Sequence, residues 1–122
     1  MTWTYSQSTG ELTHDGVRVG TGYSGAGRTA ASGRNNPGMQ GIANRGPIPA
    51  GQYRIGHAYN HSEKGPRSMN LAPVGHNSLG RAGFMIHGNN VQNDASQGCV
   101  ILGPDLRRLI DTSTDKQLSV VP

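Results

Sequence analysis

Apolar and polar side chains alternate at the start of the chain, which is the pattern of half-buried β-strands. Residues 2–6 and 11–14 are predicted to form two strands. Asp15-Gly16 is a strong signal for a two-residue hairpin turn, and the alternation resumes over residues 17–19. The pattern therefore predicts a three-stranded meander in this region.

Short apolar runs bounded by turn residues continue to the end of the chain. They predict further strands over residues 52–56, 68–72, 83–87, 99–102 and 117–121. Pro104 suits the first turn of a helix, and Leu106, Leu109 and Ile110 would share one apolar face of a helix ending near Thr112. The fold class is therefore mostly β, with one short helix near the C-terminus.

Residues 20–46 have a different character, with 8 glycines in 27 residues and few apolar side chains. Loops of this length inside a small domain are usually functional or disordered. We predict a flap over a cleft, followed by a rigid corner at the Gly-Pro-Ile-Pro segment of residues 46–49. The GxGxxG pattern at residues 20–25 has neither the following helix nor the acidic residue of a dinucleotide site, so it predicts a flexible strand exit.

The length and charge of the chain exclude several classes of protein. A chain of 122 residues predicts a single domain, 1–122. It has no apolar run long enough to span a bilayer and no signal-peptide pattern, so we expect no membrane insertion and synthesis in the cytoplasm. The net charge of +4 favours an anionic partner. Only six aromatic residues are available for stacking on bases, so nucleic-acid binding is not expected.

Two kinds of catalytic site are disfavoured by the residues themselves. A glycosidase needs a pair of catalytic carboxylates, whereas the seven acidic residues lie mostly at predicted turns and helix ends. A zinc site could draw on His57, His61, His76 and Cys99, but no HExxH or CxxC pattern supports it. We therefore expect no metal and no organic cofactor.

Cys99 remains as the candidate nucleophile. It follows Gly98 at the edge of an apolar strand, and His87 ends the preceding apolar strand. Strand ends that carry a thiol and an imidazole can form a Cys–His pair, in which an imidazolium lowers the pKa of the thiol. The amides of Gly98 and Cys99 would hold a developing oxyanion. A buried, inert cysteine is the alternative.

The residues around this pair carry a family resemblance. Ile86-His87-Gly88 followed by Ser96-Gln97-Gly98-Cys99-Val100 resembles the signature of L,D-transpeptidases. Together with Tyr23-Ser24-Gly25, Asn36-Pro37-Gly38 and residues 46–53, it resembles the L,D-transpeptidase-like effectors of bacterial type VI secretion. The likeness runs from about residue 3 to residue 109. Gln97 replaces a histidine of the wall enzymes, and the 11 residues between His87 and Cys99 are fewer than theirs; both features agree with the effectors.

The resemblance implies an L,D-transpeptidase-like β-sandwich or barrel and a set of roles. Cys99 would attack the carbonyl between the diamino acid at position three and the D-alanine at position four of a peptidoglycan stem, with His87 moving the proton. Ser96 would order the nucleophile turn or contact substrate. A backbone carbonyl, Asn89 or Asn90 would fix the imidazole tautomer. Asn89, Asn90 and Gln97 are all candidates for contact with substrate or base.

The resemblance also implies partners and a location. Water as acceptor would make the protein an L,D-carboxypeptidase, and a D-amino acid would make it an exchange transpeptidase. Either activity would harm a neighbouring bacterium after delivery by secretion machinery into its periplasm, and a cognate immunity protein would protect the producer. Another cysteine peptidase, a phage or housekeeping wall enzyme, and a non-catalytic wall-binding module remain alternatives.

Overall fold

The alternating sequence forms ten β-strands and one α-helix in the computed structural model, which describes residues 2–122. The strands are β1 (Trp3–Ser6), β2 (Glu11–His14), β3 (Val17–Thr21), β4 (Tyr23–Ser24), β5 (Gly51–Ile55), β6 (Tyr59–His61), β7 (Gly65–Val74), β8 (Met85–His87), β9 (Val100–Ile101) and β10 (Gln117–Val121). The helix α1 is Pro104–Thr112, and short 3₁₀ turns lie at Ala30–Ser32, Pro37–Met39 and Ser78–Gly80. The predicted mostly-β class with one short helix is confirmed.

The strands form one hydrogen-bonded path in the order β3-β2-β1-β10-β5-β7-β8-β9-β4, and β6 pairs with β7 beside it. Two neighbouring pairs are parallel: β1 with β10, and β8 with β9. β10 therefore lies between strands from distant parts of the chain, and β8 and β9 bring two later segments side by side. The second of these parallel pairs positions the candidate site.

The first hairpin shows why its turn could be predicted. Asp15 and Gly16 both have positive φ, 52° and 84°, which the favoured two-residue hairpin turn requires. β2 and β3 pair antiparallel on either side of this turn, with His14 opposite Val17. The predicted three-stranded meander is present.

The apolar core is formed mainly by side chains of the strands. Trp3, Tyr5, Tyr53 and Ile86 are among its fully or almost fully buried side chains. Ile110 of α1 is also fully buried. No helix within residues 2–122 is long and apolar enough to cross a membrane.

The set of residues that α1 buries differs from the predicted one. Ile110 is buried and Leu106 packs against the core, but Leu109 is 43% exposed. Arg107 is buried instead, because its guanidinium donates to the carbonyls of Leu102, at 3.0 Å, and Pro66. A charged side chain can be buried when backbone acceptors satisfy its donors.

Strand lengths also differ in the middle of the chain. β7 covers Gly65–Val74 rather than residues 68–72, and the short β6 pairs with it. Pro66 and Pro73 lie near the two ends of β7, where a missing N–H is tolerated best. The predicted strand over residues 83–87 shortens to Met85–His87.

The glycine-rich stretch of residues 20–46 folds back on itself. It contains β4 and two of the 3₁₀ turns, and the Ala26 amide donates to the Arg45 carbonyl at 2.8 Å. Gly33 has a φ of 125°, and a Cβ there would lie 1.8 Å from the Arg45 carbonyl oxygen. Glycine is therefore required where the two halves of this stretch meet.

Candidate active site

The parallel pair β8–β9 brings His87 and the turn before β9 into one region. Ile86 lies opposite Val100, and His87 lies opposite Ile101. Cys99 directly precedes β9, so it stands one place before Val100 in this register. Alternate residues of a strand face the same side of a sheet, which places the side chains of Cys99 and His87 on one face.

Cys99 and His87 both line one open cavity of about 620 Å³. Ala43 and Asn44 of the glycine-rich stretch form part of its wall, and Lys64 and Arg81 line it as well. The predicted position of that stretch beside a cleft therefore agrees with the structure. A cavity of this size has room for a small peptide segment.

The Cys99 thiol is partly buried and lies 3.8 Å from the Gly83 carbonyl oxygen. Burial raises its pKa, while a hydrogen bond from the Met85 backbone amide and the charges of Lys64 and Arg81 act in the opposite direction. The Cys–His pair predicted a lowered thiol pKa, and this prediction is wrong. Packing removes water from the thiol, which disfavours the charged thiolate.

The His87 imidazole is held in one orientation by its own neighbour. The side chain is 2% exposed, and Nδ1 lies 2.9 Å from the Gly88 carbonyl oxygen. A neutral ring must carry its proton on Nδ1 to make this bond, which leaves Nε2 with a lone pair. Nε2 is buried and has no hydrogen-bond partner within residues 2–122. Burial lowers the His87 pKa, and the Lys64 and Arg107 charges lower it further against the effect of the Gly88 bond.

Asn89 and Asn90 do not orient the imidazole, and their contact with substrate stays a prediction. The backbone-carbonyl alternative is the one observed, because Gly88 rather than Asn89 or Asn90 orients the imidazole. Asn89 Oδ1 accepts a hydrogen bond from the Tyr23 hydroxyl at 2.5 Å. Asn90 Nδ2 donates to Asp94 at 2.9 Å. These two asparagines therefore order the loop after His87.

Ser96 orders the nucleophile turn. Its buried hydroxyl donates to the Cys99 carbonyl at 2.6 Å and accepts from the amides of Gly98 and Gly25, both at 3.0 Å. The Gly98 amide is therefore occupied, which corrects its predicted use as an oxyanion donor. Among the hydrogen bonds that the described residues make in this turn, none uses the Cys99 amide. That amide is the remaining backbone candidate for the oxyanion.

Arg81 is a site residue that the sequence did not reveal. Its guanidinium donates to four backbone carbonyls, those of Gln40 at 2.7 Å, Pro47 at 2.8 Å, and Gly46 and Gln97 at 3.1 Å. It therefore ties the glycine-rich stretch and the Gly-Pro-Ile-Pro corner to the nucleophile turn. An isolated arginine in a loop carries no sequence signal for such a role. The predicted residue Gln97 contributes its carbonyl here and also lines the cavity.

Gly98 is required by both conformation and space, so Gly98→Ala is expected to damage the turn. Its φ is 139°, and a Cβ would lie 2.5 Å from Arg81 Nη2 and 3.0 Å from Phe84 Cε1. The positive φ alone costs about 1–3 kcal/mol for a residue with a side chain. We expect a lower melting temperature and a clear loss of any Cys99-dependent activity. Gly41→Ala is the matched control, because a Cβ at Gly41 meets only Leu79 at 3.8 Å; an equal effect of the two substitutions would contradict this account.

Comparisons with known proteins identify the family and the fold of the chain. A family model described as the Tlde1 domain matches residues 18–122. The chain belongs to the Tlde1 domain family. The sequence-based recognition of an L,D-transpeptidase-like type VI effector is thereby confirmed. A search of the curated proteins found no match.

Among solved structures, this Tlde1 domain is similar to the L,D-transpeptidase 1 of Mycobacterium tuberculosis. The TM-score is 0.52 at 15% sequence identity, over 99% of this chain and 61% of that chain. The Tlde1 domain thus spans less than two thirds of that chain. At this identity the likeness shows a shared fold, and it confirms the predicted L,D-transpeptidase-like architecture.

One cluster of possible metal ligands lies elsewhere in this Tlde1 domain. Single ligand atoms of His14, Asp15 and Asp115 come within 4.8 Å of one another. His14 Nε2 lies 2.9 Å from Asp115 Oδ2, and its ring stacks on Trp3 with centroids 3.8 Å apart. The Trp3 indole also donates to the Asp115 carbonyl at 2.8 Å. These contacts join β1 and β2 to the loop before β10, a structural role for the cluster.

The raised pKa of Cys99 gives a prediction for the pH dependence of its alkylation. Since burial raises the Cys99 pKa, iodoacetamide alkylation of the folded protein should reach its midpoint at a higher pH than in urea. The chain has a single cysteine, so the denatured protein is its own reference. Rates are measured by mass spectrometry across the pH range. A folded-state midpoint below that of the denatured chain would contradict the prediction.

Proposed function

We propose that this Tlde1 domain is a cysteine enzyme that acts on the tetrapeptide stems of peptidoglycan. It would work as an L,D-carboxypeptidase, an L,D-transpeptidase that exchanges the terminal D-amino acid, or both. The observation that supports this best is the pairing of a free thiol with a buried, unpartnered imidazole Nε2 at one cavity. The family and the L,D-transpeptidase-like fold supply the substrate class.

Acylation would begin from the neutral pair. His87 Nε2 accepts the thiol proton as Sγ attacks the carbonyl carbon between the third residue and D-alanine. The tetrahedral oxyanion is held by the Cys99 amide. Collapse breaks the C–N bond, and the proton on Nε2 passes to the departing amine, which leaves a thioester on Cys99. No hydrogen bond joins Sγ and Nε2 within residues 2–122, and such bonds often form only when substrate is bound.

Deacylation would reverse the proton movements. A water molecule or the amine of a D-amino acid gives a proton to Nε2 and attacks the thioester carbonyl. Sγ then leaves and recovers that proton, which restores the thiol. Water yields a shortened tripeptide stem, and a D-amino acid yields an exchanged tetrapeptide. In both cases the original tetrapeptide stem, which is the donor for wall cross-linking, is consumed.

Membership in the family supports the remaining parts of the proposal. We propose that type VI secretion machinery delivers the domain to the periplasm of a target cell and that an immunity protein protects the producer. The net charge of +4 would draw the domain to an anionic wall. A chain with one cysteine cannot lose its nucleophile to an internal disulfide in an oxidising compartment.

Digestion of purified tetrapeptide muropeptides tests the proposal. The wild-type protein should remove one alanine, or replace it when another D-amino acid is added, and mass spectrometry distinguishes the two products. Cys99→Ala is the control and should leave the substrate intact. An unchanged tetrapeptide with the wild-type protein would refute the proposal. Cleavage at another amide would indicate a different cysteine peptidase, and an antibacterial effect that survives Cys99→Ala would indicate a wall-binding module.

A further inference from the structure

Lys64 lies where two neighbouring cavities meet beside the thiol and the imidazole. It occupies the turn between β6 and β7, where its backbone amide donates to His61 Nδ1 at 3.1 Å. It lines the 620 Å³ cavity with Cys99 and a second cavity of about 140 Å³ with Gly88. His87 lines both cavities as well. Lys64 therefore lies at the border of the space where the chemistry would occur.

Among the charged residues that line these two cavities, Lys64 is the cation that remains available to bind an anion. The Arg81 guanidinium already donates to four carbonyls. Asp94 lines the large cavity but accepts from Asn90, and Glu63 lines the small one. Lys64 makes no salt bridge to any of the described residues.

The charge of Lys64 acts on both reacting groups. Burial is the main cause of the raised Cys99 pKa and of the lowered His87 pKa, and the Lys64 ammonium lowers both. An anion that enters this border would therefore meet a positive potential close to the sulfur. The anionic group nearest to a scissile terminal amide is the α-carboxylate of the leaving residue.

We propose that Lys64 binds the free carboxylate of the terminal amino acid, both as it leaves the substrate and when a D-amino acid enters as acceptor. This inference rests on the proposed function. One subsite serves both amino acids because deacylation by an amine is the reverse of acylation. It restricts cleavage to the last residue of a stem, since an internal amide has no carboxylate at that place. Lys64 is therefore a specificity-determining residue.

A pair of alkylating reagents tests the positive potential without any substrate. Iodoacetate carries a carboxylate and iodoacetamide does not, and both consume the same thiolate, so their rate ratio is independent of the thiol pKa. Lys64→Gln should lower the iodoacetate-to-iodoacetamide ratio at Cys99 roughly three- to tenfold. Lys64→Arg should preserve it. Arg108→Gln, the same loss of charge on an exposed helix residue, should leave it unchanged.

A pair of substrates then tests the assignment to the terminal residue. For a tetrapeptide with a free terminal carboxylate, Lys64→Gln should raise KM by about tenfold with little change in kcat. For the same peptide ended by an amide, the wild-type KM should resemble that of Lys64→Gln, and the substitution should not raise KM further. Lys64→Arg should recover the preference for the free carboxylate.

The outcomes separate this inference from the proposed function. If the wild-type protein removes D-alanine but Lys64→Gln keeps both the alkylation ratio and the carboxylate preference, the role of Lys64 is refuted and the proposed function stands. If only the alkylation ratio falls, Lys64 attracts anions but does not bind the terminal residue, and the inference is also refuted. If the wild-type protein leaves the tetrapeptide intact, both proposals are refuted.

Discussion

Replacing Cys99 by alanine is expected to reduce D-alanine release by about a thousandfold or more, because the nucleophile that forms the thioester is removed. The substitution should leave the fold intact. The thiol is partly exposed, and its hydrogen bond to the Gly83 carbonyl is long at 3.8 Å. We expect the free energy of unfolding to change by no more than about 1 kcal/mol. Muropeptide digestion and thermal denaturation on the same preparation check both statements.

Cys99→Ser is the matched variant for this prediction. It keeps a group of similar shape beside Gly83 and the Met85 amide but replaces the thiol by a far weaker nucleophile. Both variants should be inactive and folded. D-Alanine release by Cys99→Ala at a rate near that of the wild-type protein would remove the thiol from the mechanism.

The second large effect is expected at His87. His87→Asn should lower the rate of D-alanine release by about 10²- to 10⁴-fold, the usual contribution of a general base. An asparagine amide can still donate to the Gly88 carbonyl, as Nδ1 does at 2.9 Å, but offers no basic nitrogen at the position of Nε2. The loss should therefore come from proton transfer rather than from the orientation of the loop.

The pH dependence separates these two explanations. Nε2 accepts a proton only when the ring is neutral, so wild-type activity should fall as the pH drops through the His87 pKa. Burial lowers that pKa below its ordinary value of 6.5, so this acid limb of the pH–activity profile should lie below pH 6.5. Residual activity of His87→Asn should lack the limb, since the titrating group is absent. An unchanged limb in His87→Asn would assign the base to another residue.

Local sequence signals predicted the fold well where neighbours in the chain decide the structure. Asp15-Gly16 marked a hairpin through its positive φ values, and Pro104 marked the start of α1. β10 covers the predicted residues 117–121. Leu109 shows the limit of such signals. Leu109 is exposed and Arg107 is buried in its place on the helix, because Arg107 reaches backbone carbonyls brought close only by the tertiary fold.

The same limit applies to the candidate site. The sequence could predict that His87 and Cys99 lie near each other, because each residue stands at the end of a short apolar segment. Only the pairing of these two segments had to be inferred. The raised thiol pKa could not be predicted, since it depends on burial by the rest of the chain. The occupied Gly98 amide depends on the orientation of the Ser96 hydroxyl, and the Arg81 contacts join three segments distant in sequence.

A covalent intermediate on Cys99 is the central claim, and intact-protein mass spectrometry tests it most directly. The wild-type protein is mixed with tetrapeptide muropeptide, stopped with acid at short times, and digested to locate the modification. We expect a mass increase equal to the substrate minus D-alanine, carried by the peptide that contains Cys99. D-Alanine release with the acyl group on another residue, or with Cys99 unmodified at every time point, would contradict the account.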